Sequence, residues 1–202
     1  MGVTVPTHGL TPWSTPLNTV LDTLASGRFT PNDHGYLNWS ADPQTVVTSA
    51  GPASGSVRMV KLPLLPLQYT ITTLHCYVAT AGVGLVAGQC FAGLYDAAGT
   101  RVGVTADQSA SWNSSSPKVM ALTAPYIVTA NAPMWVALLF NGTSLGFGAV
   151  GSVGGFADMF NTNLTTSTAR FTLGPTAQTT LPASVTMASR TFSSQSQWVA
   201  VS

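Results

Sequence analysis

Few side chains in this sequence are equipped for chemistry. The chain holds three His, two Cys and six acidic residues, and every acid is an Asp: Asp22, Asp33, Asp42, Asp96, Asp107 and Asp158. Nucleophile–base sets can be drawn from His8, His34 or His75 and the many Ser and Thr, but no spacing singles one out. His8 and His34 stand in Pro- and Gly-rich stretches; His75 sits mid-strand, where a hydrogen-bonded core or interface histidine is expected. Glycoside hydrolysis needs two carboxyl groups flanking the scissile bond. The available acids, Asp96 and Asp107, flank a short strand, and Asp96 suits a turn in which it accepts from backbone amides. The catalytic assignment is therefore none, and the chain reads as a non-enzyme. No His-x-His, Cys-x-x-Cys or calcium-loop pattern occurs. Gly82-Val83-Gly84 and the glycines at 151–155 lack the Lys and following helix of a phosphate cradle. No metal and no cofactor are expected. Cys76 and Cys90 fall in neighbouring expected strands; two buried free thiols are expected, with a disulfide as the other arrangement. Sequons at Asn38, Asn113, Asn141 and Asn163 are too easily met by chance in so Ser- and Thr-rich a chain to carry meaning.

The elements that would position these groups are mostly strands. The centre of the chain, Leu85 to Thr105, reads as a hairpin: apolar runs at Gln89–Leu94 and Val102–Val104 flank the turn Tyr95-Asp96-Ala97-Ala98-Gly99-Thr100, near the middle of a sheet. Ser56–Leu62 and Tyr69–Thr80 alternate as strands, the second with Ile71, Thr73, His75 and Tyr77 opposite Thr72, Leu74, Cys76 and Val78. Pro133–Phe140 is apolar on both faces and predicts a fully buried strand. Lys118–Leu122 and Tyr126–Val128 read as short strands split by Pro125, and Ala169–Leu173, Ser184–Met187 and Gln197–Val201 as closing strands. Residues 141–166 read as a long Gly-, Ser-, Thr- and Asn-rich loop. So many short strands at this spacing predict an all-β, jelly-roll-like antiparallel sandwich.

Before the strands, residues 1–14 read as an extended arm. Thr15 as N-cap, Pro16 in the first turn and Gly27 as C-terminal cap delimit one short helix. Leu17, Val20, Leu21 and Leu24 make its single apolar stripe. Roughly 10 residues are too few for a free-standing helix, so the stripe must bury against its own domain or against equivalent helices in an oligomer. The expected organisation is 1–27 for attachment and oligomerisation, 28–55 as a linker or outlying strand in which Tyr36-Leu37-Asn38-Trp39 brings aromatic bulk to the domain edge, and 56–202 as the sandwich.

Composition excludes several classes. Only 6% of residues are charged and the net charge is +1, against about 25% charged in average soluble proteins. No basic cluster is present in the sequence, so neither nucleic acid nor anionic membrane is an expected partner. At 45% hydrophobic residues disorder is excluded, yet no run reaches the roughly 18 apolar residues of a membrane span. The N-terminus lacks a basic region followed by an apolar core, so no signal peptide is expected. So uncharged a surface suits a subunit largely covered by neighbours. Aromatic residues beside polar loop donors, Trp112 with Asn113 and the loop holding Phe147, Phe156 and Phe160, are candidates for contact with a neutral glycan or a protein; the plainer expectation is that they pack their own loops or an adjoining subunit.

Two segments carry a resemblance. Thr11-Pro12-Trp13-Ser14-Thr15-Pro16-Leu17-Asn18, continuing to Leu21-Asp22, resembles a pattern near the start of many tailed-bacteriophage fibre and minor tail proteins. The stretch from Gly82 to Trp112, with G-Q-C-F-A-G-L-Y-D-A-A-G and T-A-D-Q-S-A-S-W, resembles the C-terminal β-domain of minor tail proteins from actinobacterial phages, as do Leu181-Pro182-Ala183-Ser184 and Trp198. This resemblance implies a structural virion protein on the tail or capsid exterior: a homotrimeric minor tail or receptor-binding protein that contacts the host surface. It assigns Trp13, Pro16 and Asn18 to virion attachment. Its partners would be copies of itself, other virion proteins and a host surface glycan. The short 28–55 connection leaves a second reading beside it, a capsid decoration or head-fibre protein that binds capsomers through its N-terminal segment and stabilises the shell.

Overall fold

The computed structural model describes residues 29–151 and 157–202. The expected arm and helix, with Leu17, Val20, Leu21, Leu24, Trp13, Pro16 and Asn18, lie outside the described residues. The strands are β1 (Asn38–Trp39), β2 (Val46–Ala50), β3 (Arg58–Lys61), β4 (Tyr69–Val83), β5 (Phe91–Tyr95), β6 (Arg101–Val104), β7 (Ser116–Val128), β8 (Trp135–Leu139), β9 (Ser144–Val150), β10 (Phe171–Leu173), β11 (Thr191–Phe192) and β12 (Val199–Val201); one helical turn, α1, covers Ala157–Phe160.

They form two six-stranded antiparallel sheets, the expected all-β sandwich. In sheet A the long β4 pairs with β7 along one edge; along the other it pairs first with β12 and then with β9, which carry β1 and β2 outside them. Sheet B runs β11-β10-β3-β8-β5-β6. A single bridge, Thr105 to Leu122, stitches β6 to β7 at one corner of the sandwich. Among the described residues no helix is long and apolar enough to cross a membrane.

Alternation explains the inner core. From β7, Met120 and Leu122 point inward while Val119 and Ala121 point out. β8 is buried on both faces, as its unbroken apolar run predicts: Val136 and Leu138 enter the core between the sheets, while Trp135, Ala137 and Leu139 face away from sheet A. That outer face is covered by the chain between β10 and β11, whose Leu181, Val185 and Met187 pack on Val57, Met59, Tyr95 and Trp135. The Tyr95 hydroxyl donates to Pro182 O at 2.6 Å, Val185 N donates to Gly99 O at 2.8 Å, and the Arg101 guanidinium donates to Leu181 O. Gly99 has φ +84°, and a Cβ there would lie 2.0 Å from Val185 O. The hairpin turn therefore needs glycine both for its backbone and for the covering segment. Within the turn, Asp96 Oδ1 accepts from Ala98 N and Thr100 N, both at 2.9 Å.

Several sequence-based boundaries move. The 28–55 segment is not only a connection, because β1 and β2 within it pair into sheet A; the sandwich begins before residue 56. The hairpin lies at the end of sheet B rather than near its middle. Ser184–Met187 forms a single bridge, Ser184 to Thr100, in the covering segment instead of a strand. The 141–166 stretch contains β9, whose Gly146 and Gly148 mask its alternation. In β4 the backbone amides of Thr72 and Thr73 both donate to Ser202 O, and the ladder to β7 slips between Ile71 and Thr73. That irregularity brings Ile71 into the core with Leu74, Cys76 and Val78. Beyond it, Thr73, His75 and Tyr77 alternate with those core residues. Cys76 and Cys90 are both free and buried, and burial pushes the Cys76 thiol up to about 12.

Candidate functional site

The outer face of sheet A carries a patch built from two short turns and three strands. Pro31–His34 forms a 3-10 turn with Pro in its first position and Gly35 closing it at φ 74°. Asp33 Oδ2 accepts from Thr30 N and Thr30 Oγ1, both at 2.7 Å, and these bonds hold its carboxyl below the usual range. The turn delivers Tyr36, whose amide donates to Pro31 O at 2.9 Å, two residues before β1. A second 3-10 turn, Pro43–Thr45, is capped by Asp42, which accepts from Gln44 N at 2.9 Å and fixes Pro43 as a lip.

Tyr36 is the hub of the patch. Its ring meets His75 edge-on at 4.8 Å, Trp198 at 5.8 Å and Trp39 at 6.5 Å, and stacks parallel to His34 at 6.3 Å. Offset and edge-to-face contacts of this kind add stability beyond burial alone, so the rings hold one another in place before any ligand arrives. The Trp198 indole N–H is already committed to Ala41 O at 2.8 Å. Tyr77 of β4 is paired with Pro117 of β7. It lies over Gly148, where a Cβ would come 3.0 Å from the Tyr77 ring and 2.9 Å from Val46; glycine is what lets these side chains lie close to the sheet.

Between these groups is a cleft of about 370 Å³ lined by Tyr36, Pro43, Val46, Tyr77, Pro117 and Trp198. No lining side chain is charged, and the Tyr36 and Tyr77 hydroxyls make no hydrogen bond to the described residues. Aromatic walls with free hydroxyls at their edges suit a neutral ligand that has an apolar face and polar rim, such as a sugar ring. Beside the cleft, His75 Nε2 lies 2.8 Å from Ser202 Oγ. Burial pushes the His75 pKa down, and among the described residues no carboxylate is hydrogen-bonded to its ring, so within them the contact is a Ser–His pair without a third, orienting acid. Among the described residues no three His, Cys, Asp or Glu gather closely enough for a metal ion.

The aromatic residues singled out from sequence stand elsewhere. Trp112 and Phe147 are fully buried and meet edge-to-face at 5.0 Å inside the core; within the described chain they are packing residues, not contact residues. Lys118 closes the loop above them, donating to Ser111 O at 2.6 Å and Ser114 Oγ at 3.0 Å. Asn113 is exposed, Phe160 is half-buried against Phe171 at 6.2 Å, and Phe156 lies outside the described residues. Sequence reasoning flagged the aromatic bulk at Tyr36–Trp39 and placed His75 and Tyr77 on one strand face, but did not join them to Trp198. Their shared face in β4 and the isolated Trp near the closing strand were the available signals. No family model matches the chain, and no curated protein matches it.

Proposed function

We propose that the chain is a non-enzymatic binding module of a virion: a trimeric minor tail or receptor-binding protein of a tailed phage that holds a neutral glycan of the host surface in the aromatic cleft. The observation that carries the glycan part is the uncharged cleft itself, with Tyr36, Tyr77 and Trp198 as its walls and two tyrosine hydroxyls unspent on the described residues. Sugar rings dock on such walls through their C–H faces while hydroxyls at the rim select orientation. The virion setting is supported by the resemblance of the Trp13–Asp22 and Gly82–Trp112 stretches. Association into a trimer is supported by the sparse charge and by exposed apolar side chains on the outer side of β7, Val119 at 73% and Ile127 at 57%.

The test is sedimentation of the full chain with purified actinobacterial cell walls, alongside antibody labelling of intact particles. Retention on walls, lost with Tyr77→Ala and after enzymatic removal of neutral glycans, together with label at the tail, supports the reading. Wall retention unchanged by Tyr77→Ala removes the cleft from it. Label distributed over the head supports the decoration reading in its place.

A further inference from the structure

A second site lies beside β1, whose Asn38 Nδ2 donates to Pro63 O at 2.6 Å. Lys61 at the end of β3 and Arg170 just before β10 are directly opposite each other: the register pairs Val60 with Phe171, and Lys61 N donates to Arg170 O at 2.7 Å. Residues directly opposite in an antiparallel ladder share a face, and like charges there are destabilising. No described carboxylate offsets them. Lys61 Nζ reaches only Thr168 O, at 3.2 Å, and the Arg170 guanidinium lies over the Phe171 ring at 5.4 Å.

A third cation strengthens the local field. Arg190 is buried and donates to Met187 O, Thr172 Oγ1 and Thr166 O, all neutral acceptors. Lys61 and Arg190 lie over the same Trp135 ring, at 5.3 and 5.0 Å. Burial, and then the charge of Arg190, lower the Lys61 pKa, which is the response of an ammonium in a field lacking counter-charge.

Lys61 and Arg170 line one cavity of about 290 Å³ with Ser40, Leu62, Pro63 and Leu64. Ser40 is 6% exposed, and its Oγ accepts from Val199 N at 3.1 Å, which leaves its own proton without an acceptor among the described residues. The polar side chains lining the cavity are thus an ammonium, a guanidinium and a buried hydroxyl with a proton to give. All three donate. Guanidinium supplies a planar fork and ammonium a point charge, the combination that recognises phosphate and carboxylate oxygens.

We propose that this cavity is an oxyanion-binding site, in which Lys61, Arg170 and the Ser40 hydroxyl together hold a phosphate or carboxylate group. The bound anion offsets the repulsion that the strand register imposes. This site is independent of the aromatic cleft and of what that cleft takes.

The test uses the full chain at low ionic strength in chloride buffer. Its thermal midpoint is followed during titration with inorganic phosphate and, separately, with glucuronate, each at matched ionic strength. The expected result is a saturable rise in midpoint with at least one anion, with the half-saturating concentration raised tenfold or more in Arg170→Gln and in Lys61→Gln. Without anion, Arg170→Gln should melt at or above the wild-type temperature, because Arg170 is exposed and its removal relieves the repulsion. Saturation by phosphate alone assigns a phosphoryl group, by glucuronate alone a uronate-type carboxylate, and by both an unselective oxyanion site. A rise that does not saturate, or that is the same in wild type and both variants, is an ordinary salt effect and overturns the proposal.

Discussion

The two outer faces of the sandwich solve the same problem in opposite ways. Sheet B buries its outer face under its own chain: Leu181, Val185 and Met187 lie over Trp135, Met59 and Tyr95, and the backbone of the covering segment is tied down by Tyr95, Gly99 and Arg101. Sheet A has no comparable segment among the described residues. Its outer face ends in Tyr36, Tyr77 and Trp198 around an open cleft, with Val119 exposed beside them. Both faces are aromatic. On one the rings are consumed by packing, and on the other they remain partly available. Aromatic content alone therefore does not mark a binding surface; what distinguishes the faces is whether the chain's own connections have already covered the rings.

This contrast can be broken most severely at sheet B. Trp135→Ala removes a ring that is 2% exposed and should cost about 3–5 kcal/mol, read from urea unfolding, without selectively altering a ligand bound at sheet A. Gly99→Ala combines a left-handed backbone with contact against Val185 O and should cost about 2–3 kcal/mol. It should also make the segment before β11 more open to proteolysis. A smaller effect concerns His75, whose pKa burial holds below its usual 6.5. The unfolded chain then takes up the proton more readily, so this contribution to stability is complete above pH 6.5 and declines as pH falls below it. The stability difference between wild type and His75→Gln should accordingly shrink on acidification from pH 7 to 5 in urea titrations; a constant difference would show that His75 does not titrate with folding. Smallest of all, Val119→Thr should change monomer stability by no more than about 0.5 kcal/mol. A reduced mass in light scattering for the same variant would place the outer side of β7 in the subunit contact.

The sandwich was legible because its evidence is local. The unbroken apolar run of β8 and the Asp96–Gly99 turn each state their own conformation within a few residues; β7 was legible only as two short strands, because Pro125, which the single strand takes in, reads as a break. β9 was hidden because Gly146 and Gly148 weaken strand propensity, and their purpose, making room for Thr80, Tyr77 and Val46, involves distant strands. The irregularity at Thr72 leaves no trace in composition. The sites were the least legible part. Tyr36, Tyr77 and Trp198 come from three segments, and Lys61 faces Arg170 only through the β3–β10 register. A sequence without any run of basic residues still assembles three cations around Trp135 and Phe171, because strand pairing sets which residues become neighbours.

The claim that sheet A's outer face is the recognition face is tested most directly by residue-resolved NMR of the full chain titrated with neutral oligosaccharides released from the cell wall of a host bacterium. The account predicts saturable shifts confined to Tyr36, Val46, Tyr77, Trp198 and their strand neighbours, abolished by Tyr77→Ala while that variant remains folded. Saturable shifts centred on the covered face of sheet B, or no saturable shift in the wild-type chain, would contradict it.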